Sequence, residues 1–202
     1  MLLSRLISLL SDYKTKNFKD IDIKSLSYNS NSIQEGCMFI CIKGERTDGH
    51  NYAADAVSKG AAAVFAEKEL DLDVPQIIVK DTKRTLAYIS AAFYGEPSKE
   101  LNIIGVTGTN GKTTVTHLIQ KILEENNEKC VLIGTLGCKF SSSDSYKDVK
   151  HTTPQPPELQ KDLRLAADKG IKNAVMETSS HALEQNRTGC IDFKCAVFTN
   201  LT

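Results

Sequence analysis

The sequence has no net charge, no cysteine pair at Cys-x-x-Cys spacing, and no apolar run of membrane length. Lysine plus arginine and aspartate plus glutamate both total 25 among 202 residues. Such a balance argues against a polyanion-binding surface as the main activity, so no nucleic-acid partner is expected. No apolar stretch approaches the roughly 20 residues that a membrane helix needs, so no membrane partner is expected either. The cysteines at 37, 41, 130, 138, 190 and 195 are scattered, several of them inside apolar runs such as CMFICI and KCVLIG. With four scattered histidines no zinc spacing emerges, and buried reduced thiols are expected. There is also no Cys/His or Ser/His constellation of a nucleophilic catalyst, and no internal repeat.

The amino-terminal MLLSRLISLLSDYKTK lacks a small-x-small cleavage site, and an acidic residue follows its apolar part at once. Leu2, Leu3, Leu6, Leu9 and Leu10 instead follow helical spacing. An amphipathic helix is therefore predicted rather than a signal peptide, and with it a cytoplasmic location.

A chain of 202 residues has room for one large or two modest domains. Strands are predicted at 25–30, 37–43, 61–67 and 76–81. Helices are predicted over Tyr52–Lys59, stopped by Gly60, and over Thr82–Tyr94, stopped by Gly95-Glu96-Pro97. The composition of YGEPSKELN places a domain boundary near Pro97, dividing the chain into 1–97 and 98–202. In the second half, apolar strands at 102–107, 130–135, 173–178 and 194–200 are separated by helices at 112–126 and 157–169. That alternation is the pattern of an α/β fold with a parallel sheet covered on both faces. Ligands of such sheets collect at the carboxyl ends of the strands, where the polar clusters of this half all fall. The low-complexity SSSDSYKD (141–148) reads as a loop tip. The final strand, CAVFTNLT, leaves sheet and site unfinished, so a fragment of a longer protein is expected.

The stretch NIIGVTGTNGKTTVTHLIQKILEENN (102–127) runs from strand through a Gly-rich turn into a helix pattern. The common phosphate-loop pattern G-x-x-x-x-G-K-[ST] asks for glycine five positions before Gly111, where Val106 stands. The chemistry does not need that spacing. It needs backbone N–H groups converging on an anion, a helix N-terminus, a lysine and a Mg²⁺-binding hydroxyl. Gly108 and Gly111 let the backbone turn and approach closely, Lys112 reaches the terminal phosphates, and Thr113 ligates Mg²⁺. The helix from Thr114 supplies the dipole. Glu177 ends an apolar strand, a place from which a carboxylate can hold Mg²⁺ across from the loop. Alone, Thr152 and Thr153 read as a turn or cap before a proline-rich segment, and Gln185 and Arg187 as surface residues. His50 and His151 read as loop residues. His181 reads as capping a helix, with orientation of Glu177 as the alternative.

GVTGTNGKTT resembles the ATP loop of the Mur ligase family, in which the short Gly-Thr-Asn-Gly-Lys-Thr form is normal. HTTPQPPELQ (151–160) and METSSHALEQNR (176–187) are similar to segments of the members that add the third residue of the peptide. The first half, YNSNSIQEGCMFICIKGERTDGHNYAADAVSKGAAAVF, looks like their UDP-binding domain. The resemblance covers nearly the whole chain. It implies a small amino-terminal α/β UDP-binding domain followed by an incomplete P-loop parallel-sheet ATP-binding domain. It implies ATP and Mg²⁺ as cofactors, with Gly108, Thr109, Asn110, Gly111, Lys112, Thr113 and Thr114 at the nucleotide. It implies Lys112 and Glu177 as catalytic residues, and Thr113 and Glu177 as holding the metal.

The resemblance further implies that Thr152, Thr153, Ser179, Gln185 and Arg187 contact the muramoyl-peptide, and that Ser30 with Glu45, Arg46 and Thr47 contacts the UDP part. The implied substrates are UDP-N-acetylmuramoyl-L-alanyl-D-glutamate and an amino acid, meso-diaminopimelate being favoured over L-lysine as the commoner bacterial choice. The implied reaction is amide formation in which ATP activates the carboxylate as an acyl phosphate, the incoming amine attacks it and phosphate leaves; a monomer is implied. Two positions depart from the family: Asn31 stands where relatives carry Arg, and His151 where they carry Asn. A modified lysine, a further histidine and a third domain that the family uses lie past Thr202, so this chain alone is expected to be inactive. Two other readings compete: a simple P-loop phosphotransferase or NTPase, which leaves HTTPQ and SSHALEQNR unexplained, and a non-catalytic nucleotide-sugar-binding module.

Overall fold

A computed structural model describes residues 1–8, 10–44, 47–148 and 151–202. The chain divides into two compact units, Met1–Phe93 and Tyr94–Thr202. The division falls at the end of a helix, and the 3₁₀ turn Pro97–Lys99 belongs to the second unit. Among the described residues no helix is long and apolar enough to cross a membrane.

In chain order the first unit contains α1 (Leu3–Ile7), β1 (Lys14–Lys16), β2 (Ser25–Ser27), β3 (Cys37–Ile40), α2 (Ala53–Ser58), β4 (Ala61–Ala66), β5 (Gln76–Ile78) and α3 (Thr82–Phe93). Its sheet runs β1-β5-β4-β3-β2. The pairs from β2 to β5 are parallel, and β1 lies antiparallel on β5. Alternation along β3 and β4 sorts their side chains to two faces, as strand geometry requires. Met38, Ile40, Ala63 and Phe65 join Leu3, Leu6, Leu86 and Ile89 from α1 and α3. Phe39, Cys41, Val64 and Ala66 meet Ala53 and Ala56 of α2 on the opposite face.

Several expectations change in this unit, among them the strands predicted over 37–43 and 76–81, which end at Ile40 and Ile78. The strand predicted over 25–30 stops at Ser27, because Ser30–Ser32 turns into a 3₁₀ helix in which the Asn29 side chain accepts the Asn31 N–H. The amino-terminal helix is short: it buries Leu3, Leu6 and Ile7, leaves Leu2 exposed, and Leu9 lies outside the described residues. β1 was not predicted, since Lys-Thr-Lys carries no apolar alternation to read.

The second unit follows with β6 (Asn102–Thr107), α4 (Lys112–Glu125), β7 (Cys130–Gly134), β8 (Gly137–Lys139), α5 (Pro156–Asp168), β9 (Asn173–Glu177), α6 (Ser180–Glu184) and β10 (Phe193–Phe198). Its sheet order is β10-β6-β9-β7-β8, parallel except for β8, which returns antiparallel to β7. Val131, Ile133, Ala174 and Met176 face Leu159, Leu163 and Ala166 of α5. The alternate residues Cys130, Leu132 and Val175 face Val115, Ile119 and Leu123 of α4. A helix therefore covers each face, and the loops that leave β6, β7, β9 and β10 emerge at one edge.

The thiols do not all follow expectation. Cys37, Cys41, Cys130 and Cys138 are buried, but Cys190 is half-buried and Cys195 is exposed on the edge strand β10. Burial pushes the Cys41, Cys130 and Cys138 thiols up to about 12, so they remain protonated and poorly nucleophilic.

Candidate active site

Four loops meet at the carboxyl edge of the second sheet, and each brings residues that the sequence singled out or missed. β6 ends at Thr107, and Gly108 to Gly111 carry the chain into α4. Gly111 takes a left-handed φ of +84° as N-cap, with nothing within 4 Å of where a Cβ would stand. Only glycine adopts that backbone without strain, and the open space leaves the helix N-terminus accessible. No side chain caps α4, so the N–H groups of its first turn are the ones an anion would meet. Gly108 is different. Its φ is +129°, and a Cβ there would lie 2.2 Å from Thr199 Oγ1 and 2.8 Å from the Asn200 carbonyl oxygen. It is glycine because the segment after β10 lies against it.

The same segment engages the next two residues. Thr109 N–H donates to the Asn200 carbonyl at 2.9 Å, and Asn110 N–H donates to Asn200 Oδ1 at 3.1 Å. Lys112 folds back over the loop, its Nζ donating to the carbonyls of Gly108 (2.6 Å) and Thr109 (3.1 Å). The ammonium thus sits within the turn it would close around a phosphate.

Glu177 ends β9 only 1 % exposed. Its Oε1 accepts the Thr135 N–H at 2.9 Å, and its Oε2 accepts the hydroxyls of Thr113 (3.1 Å) and Thr135 (3.0 Å). These donors are all neutral, so a buried carboxylate charge is hydrogen-bonded but not neutralised by them. His181 is exposed on α6, and the carboxylate is oriented by the two threonines instead. Thr135 was missed by sequence reasoning. The signal available was its place just beyond the carboxyl end of the parallel strand β7. Its hydroxyl also lies 3.1 Å from that of Thr152, so one hydrogen-bonded line runs Thr113–Glu177–Thr135–Thr152. Gly134 makes room for it: a Cβ there would stand 2.3 Å from Glu177 Oε1. Gly134→Ala is therefore expected to expel the carboxylate from its pocket, lowering stability by about 1–3 kcal/mol. A thermal melt of wild type and variant reads the effect.

The remaining residues form the wall behind this line. Thr153 is fully buried; its hydroxyl donates to the Glu177 carbonyl (2.9 Å) and accepts the Ser179 N–H (3.1 Å). Ser179 caps α6 by accepting the Ala182 N–H. Arg187, 9 % exposed, donates through Nη1 to the Thr153 carbonyl at 2.9 Å and through Nε and Nη2 to Gln185 Oε1. The side chains of Thr153 and Arg187, read from sequence alone as a turn residue and a surface residue, hold the Thr-Thr-Pro and Ser-Ser-His segments together. Thr152, Ser179 and Gln185 remain partly open.

A divalent cation fits this chemistry in a limited way. Among the described residues no group of three or more His, Cys, Asp or Glu side chains converges. Thr113 and Glu177 supply one hydroxyl and one carboxylate, a sparse oxygen set of the kind Mg²⁺ completes with phosphate oxygens and water.

In the first unit a separate cleft of about 370 Å³ is lined by residues that include Asn29, Ser30, Asn31, Phe39, Thr47 and Tyr52. Ser30 is buried within its 3₁₀ turn, with its carbonyl accepting from Lys59 Nζ, while Thr47 is exposed. Glu45 and Arg46 lie outside the described residues. His50 is more than a loop residue. Its Nε2 accepts the Glu67 N–H (2.9 Å), which leaves Nδ1 to carry the proton and donate to Asp48 Oδ1 (2.5 Å). The His50 backbone N–H, followed by its Nδ1 bond, holds the Asp48 carboxyl below the usual carboxylate range, and the two ring bonds tie the cleft's loop to the end of β4.

Comparison with known proteins bears on both units. The family described as "Mur ligase family, catalytic domain" matches residues 22–94, and "Mur ligase middle domain" matches residues 106–202. The chain is 45% identical over 203 residues to a UDP-N-acetylmuramoyl-L-alanyl-D-glutamate--2,6-diaminopimelate ligase of Bacillus licheniformis, covering 100% of this chain and 41% of that protein. An enzyme of the same name from Listeria monocytogenes is 43% identical over 202 residues, with the same two coverages. The chain therefore spans less than half the length of these curated relatives. Among solved structures, a ligase of that name superposes with a TM-score of 0.77 at 31% identity, over 89% of this chain and 37% of the other. A MurF ligase from Thermotoga maritima in complex with ADP gives a TM-score of 0.59 at 26% identity, over 91% of this chain and 39% of the other.

Proposed function

The chain belongs to the Mur ligase family, and we propose that it supplies the substrate-binding and phosphate-binding parts of an ATP-dependent ligase. That ligase adds meso-diaminopimelate to UDP-N-acetylmuramoyl-L-alanyl-D-glutamate. The observation that carries this reading is the line Thr113–Glu177–Thr135–Thr152. It joins the phosphate loop to the Thr-Thr-Pro segment within a single sheet edge, as a reaction between a nucleotide and a second, acidic substrate requires. A P-loop phosphotransferase would have no use for the buried Thr153–Arg187 wall behind it.

In this reading the residues work by positioning and charge. The first-turn N–H groups of α4 and the Lys112 ammonium hold the phosphates and stabilise the charge that builds on the transferring group. Bound Mg²⁺ would add a Lewis acid beside those phosphates, held by Thr113 and Glu177. Thr135 keeps Glu177 aimed at Thr113. Thr152, Ser179 and Gln185 present polar atoms to the muramoyl-peptide, while Thr153 and Arg187 fix the backbone that carries them. The uridine end belongs to the cleft around Ser30, Asn31 and Thr47. Asn31 brings no charge there, and the described residues that line the cleft are neutral. A nucleotide-sugar substrate and ATP place the reaction in the cytoplasm.

The test is a calorimetric titration of the folded chain with UDP-N-acetylmuramoyl-L-alanyl-D-glutamate, with and without Mg-ATP. Saturable binding of both ligands is expected. Binding of Mg-ATP without the dipeptide would point to a phosphotransferase, and the converse to a nucleotide-sugar module.

A further inference from the structure

The phosphate loop of this chain is held from outside, by the residues that follow β10. Asn200 alone makes three bonds to it. Its carbonyl accepts the Thr109 N–H (2.9 Å), its Oδ1 accepts the Asn110 N–H (3.1 Å), and its Nδ2 donates to the Asn110 carbonyl (3.1 Å). Thr199 adds a hydroxyl bond to the same Asn110 carbonyl at 2.7 Å, and its own N–H donates to Thr107. Gly108 is crowded by the backbone N and O of Asn200 at under 3 Å from the position of a Cβ. The loop and the tail of β10 have thus been shaped against one another.

We propose that Asn200 is a positioning residue for nucleotide binding, setting the phosphate loop in its binding shape before any nucleotide arrives. The proposal rests on the reading of the loop as an ATP site. The chemistry explains why the residue is asparagine. A carboxamide presents an acceptor and a donor side by side, matching the N–H and C=O of one residue, Asn110. Neither an aliphatic side chain nor a carboxylate can do both. The consequence is a division of labour within the loop. The amides of Thr109 and Asn110 are engaged by Asn200, and the α4 amides from Lys112 to Thr114, with that of Gly111, are left for phosphate oxygens. A loop fixed in this way loses little conformational freedom on binding, which raises affinity without any contact between Asn200 and the ligand.

Amide exchange and chemical shifts on the ¹⁵N-labelled chain, titrated with Mg-ADP, test this. In the wild type, the Thr109 and Asn110 amides should be protected before nucleotide is added, and the Gly111–Thr114 resonances should shift on binding. Asn200→Ala should speed exchange at Asn110, which loses its side-chain acceptor, leave Thr109 protected by the main-chain carbonyl of residue 200, and weaken Mg-ADP about tenfold, with the amide spectrum of residues 1–93 unchanged as the control for folding. Asn200→Asp, which keeps the Oδ1 acceptor, should restore protection at Asn110. Unaltered exchange and affinity in Asn200→Ala would overturn the positioning role alone. A wild-type chain that fails to bind Mg-ADP would overturn the nucleotide reading, and the role of Asn200 with it.

Discussion

Lys112→Ala is expected to weaken Mg-ATP binding about 100-fold, the loss of one or two charge-assisted hydrogen bonds, and to abolish turnover in any complete ligase built on this chain. The Lys112 ammonium is placed directly by the loop itself, bonded to the Gly108 and Thr109 carbonyls at 2.6 and 3.1 Å. Those carbonyls hold it at the mouth of the α4 N-terminus, where it needs only to exchange carbonyl oxygens for phosphate oxygens. Arginine should not rescue the loss, because a planar guanidinium does not fit where a compact ammonium donates into a tight turn. Melting temperature should barely change, since the side chain is only half-buried. Calorimetry with Mg-ATP measures the effect, and equal affinity in wild type and variant would remove Lys112 from the site.

Glu177→Gln should act differently. The amide keeps the shape of the carboxylate and can still accept the Thr135 N–H, while the Thr113 and Thr135 hydroxyls rotate to accept from the new NH₂. The fold therefore survives. What disappears is the negative charge that hydrogen-bonds to Thr113. The tightening of nucleotide binding by Mg²⁺ should fall about 100-fold, consistent with the several kcal/mol a metal supplies at a phosphoryl group. Binding measured in chelator should be unaltered. A variant whose Mg²⁺ dependence matched the wild type would show that the ion is held elsewhere. The contrast with Gly134→Ala is informative: there the charge remains but is displaced, so stability falls.

The two units were legible in the sequence to different depths. In the second unit β6, β7, β9, α4 and α5 lie within a residue or so of where apolar runs and helix signals placed them, because these elements are long and fully covered. β8 was not seen: Gly-Cys-Lys is three residues long, returns through a two-residue turn, and owes its strand form to pairing with β7. β10 was expected as another apolar strand, yet Lys194, Cys195, Ala196 and Phe198 are exposed along it, since β6 is its one partner strand among the described residues. Apolar content identifies a strand but not how many of its sides are covered.

The phosphate loop, the lysine, and the carboxylate that ends β9 are matters of local order along the chain. A strand, a glycine turn and a helix start determine them, because backbone N–H groups converge wherever that order occurs. The partners of those groups are not local. Thr135 meets Glu177 across 42 residues, Arg187 meets Thr153 across 34, and Asn200 meets Asn110 across 90. Thr, Arg and Asn are common and versatile hydrogen-bonding residues, and nothing in their neighbours along the chain says which distant atom will face them. Sequence alone determined that a strand, a glycine turn and a helix start follow one another ahead of α4. Tertiary structure decided what holds that site in shape, because hydrogen-bond geometry exists only once the parallel sheet has brought its carboxyl ends side by side.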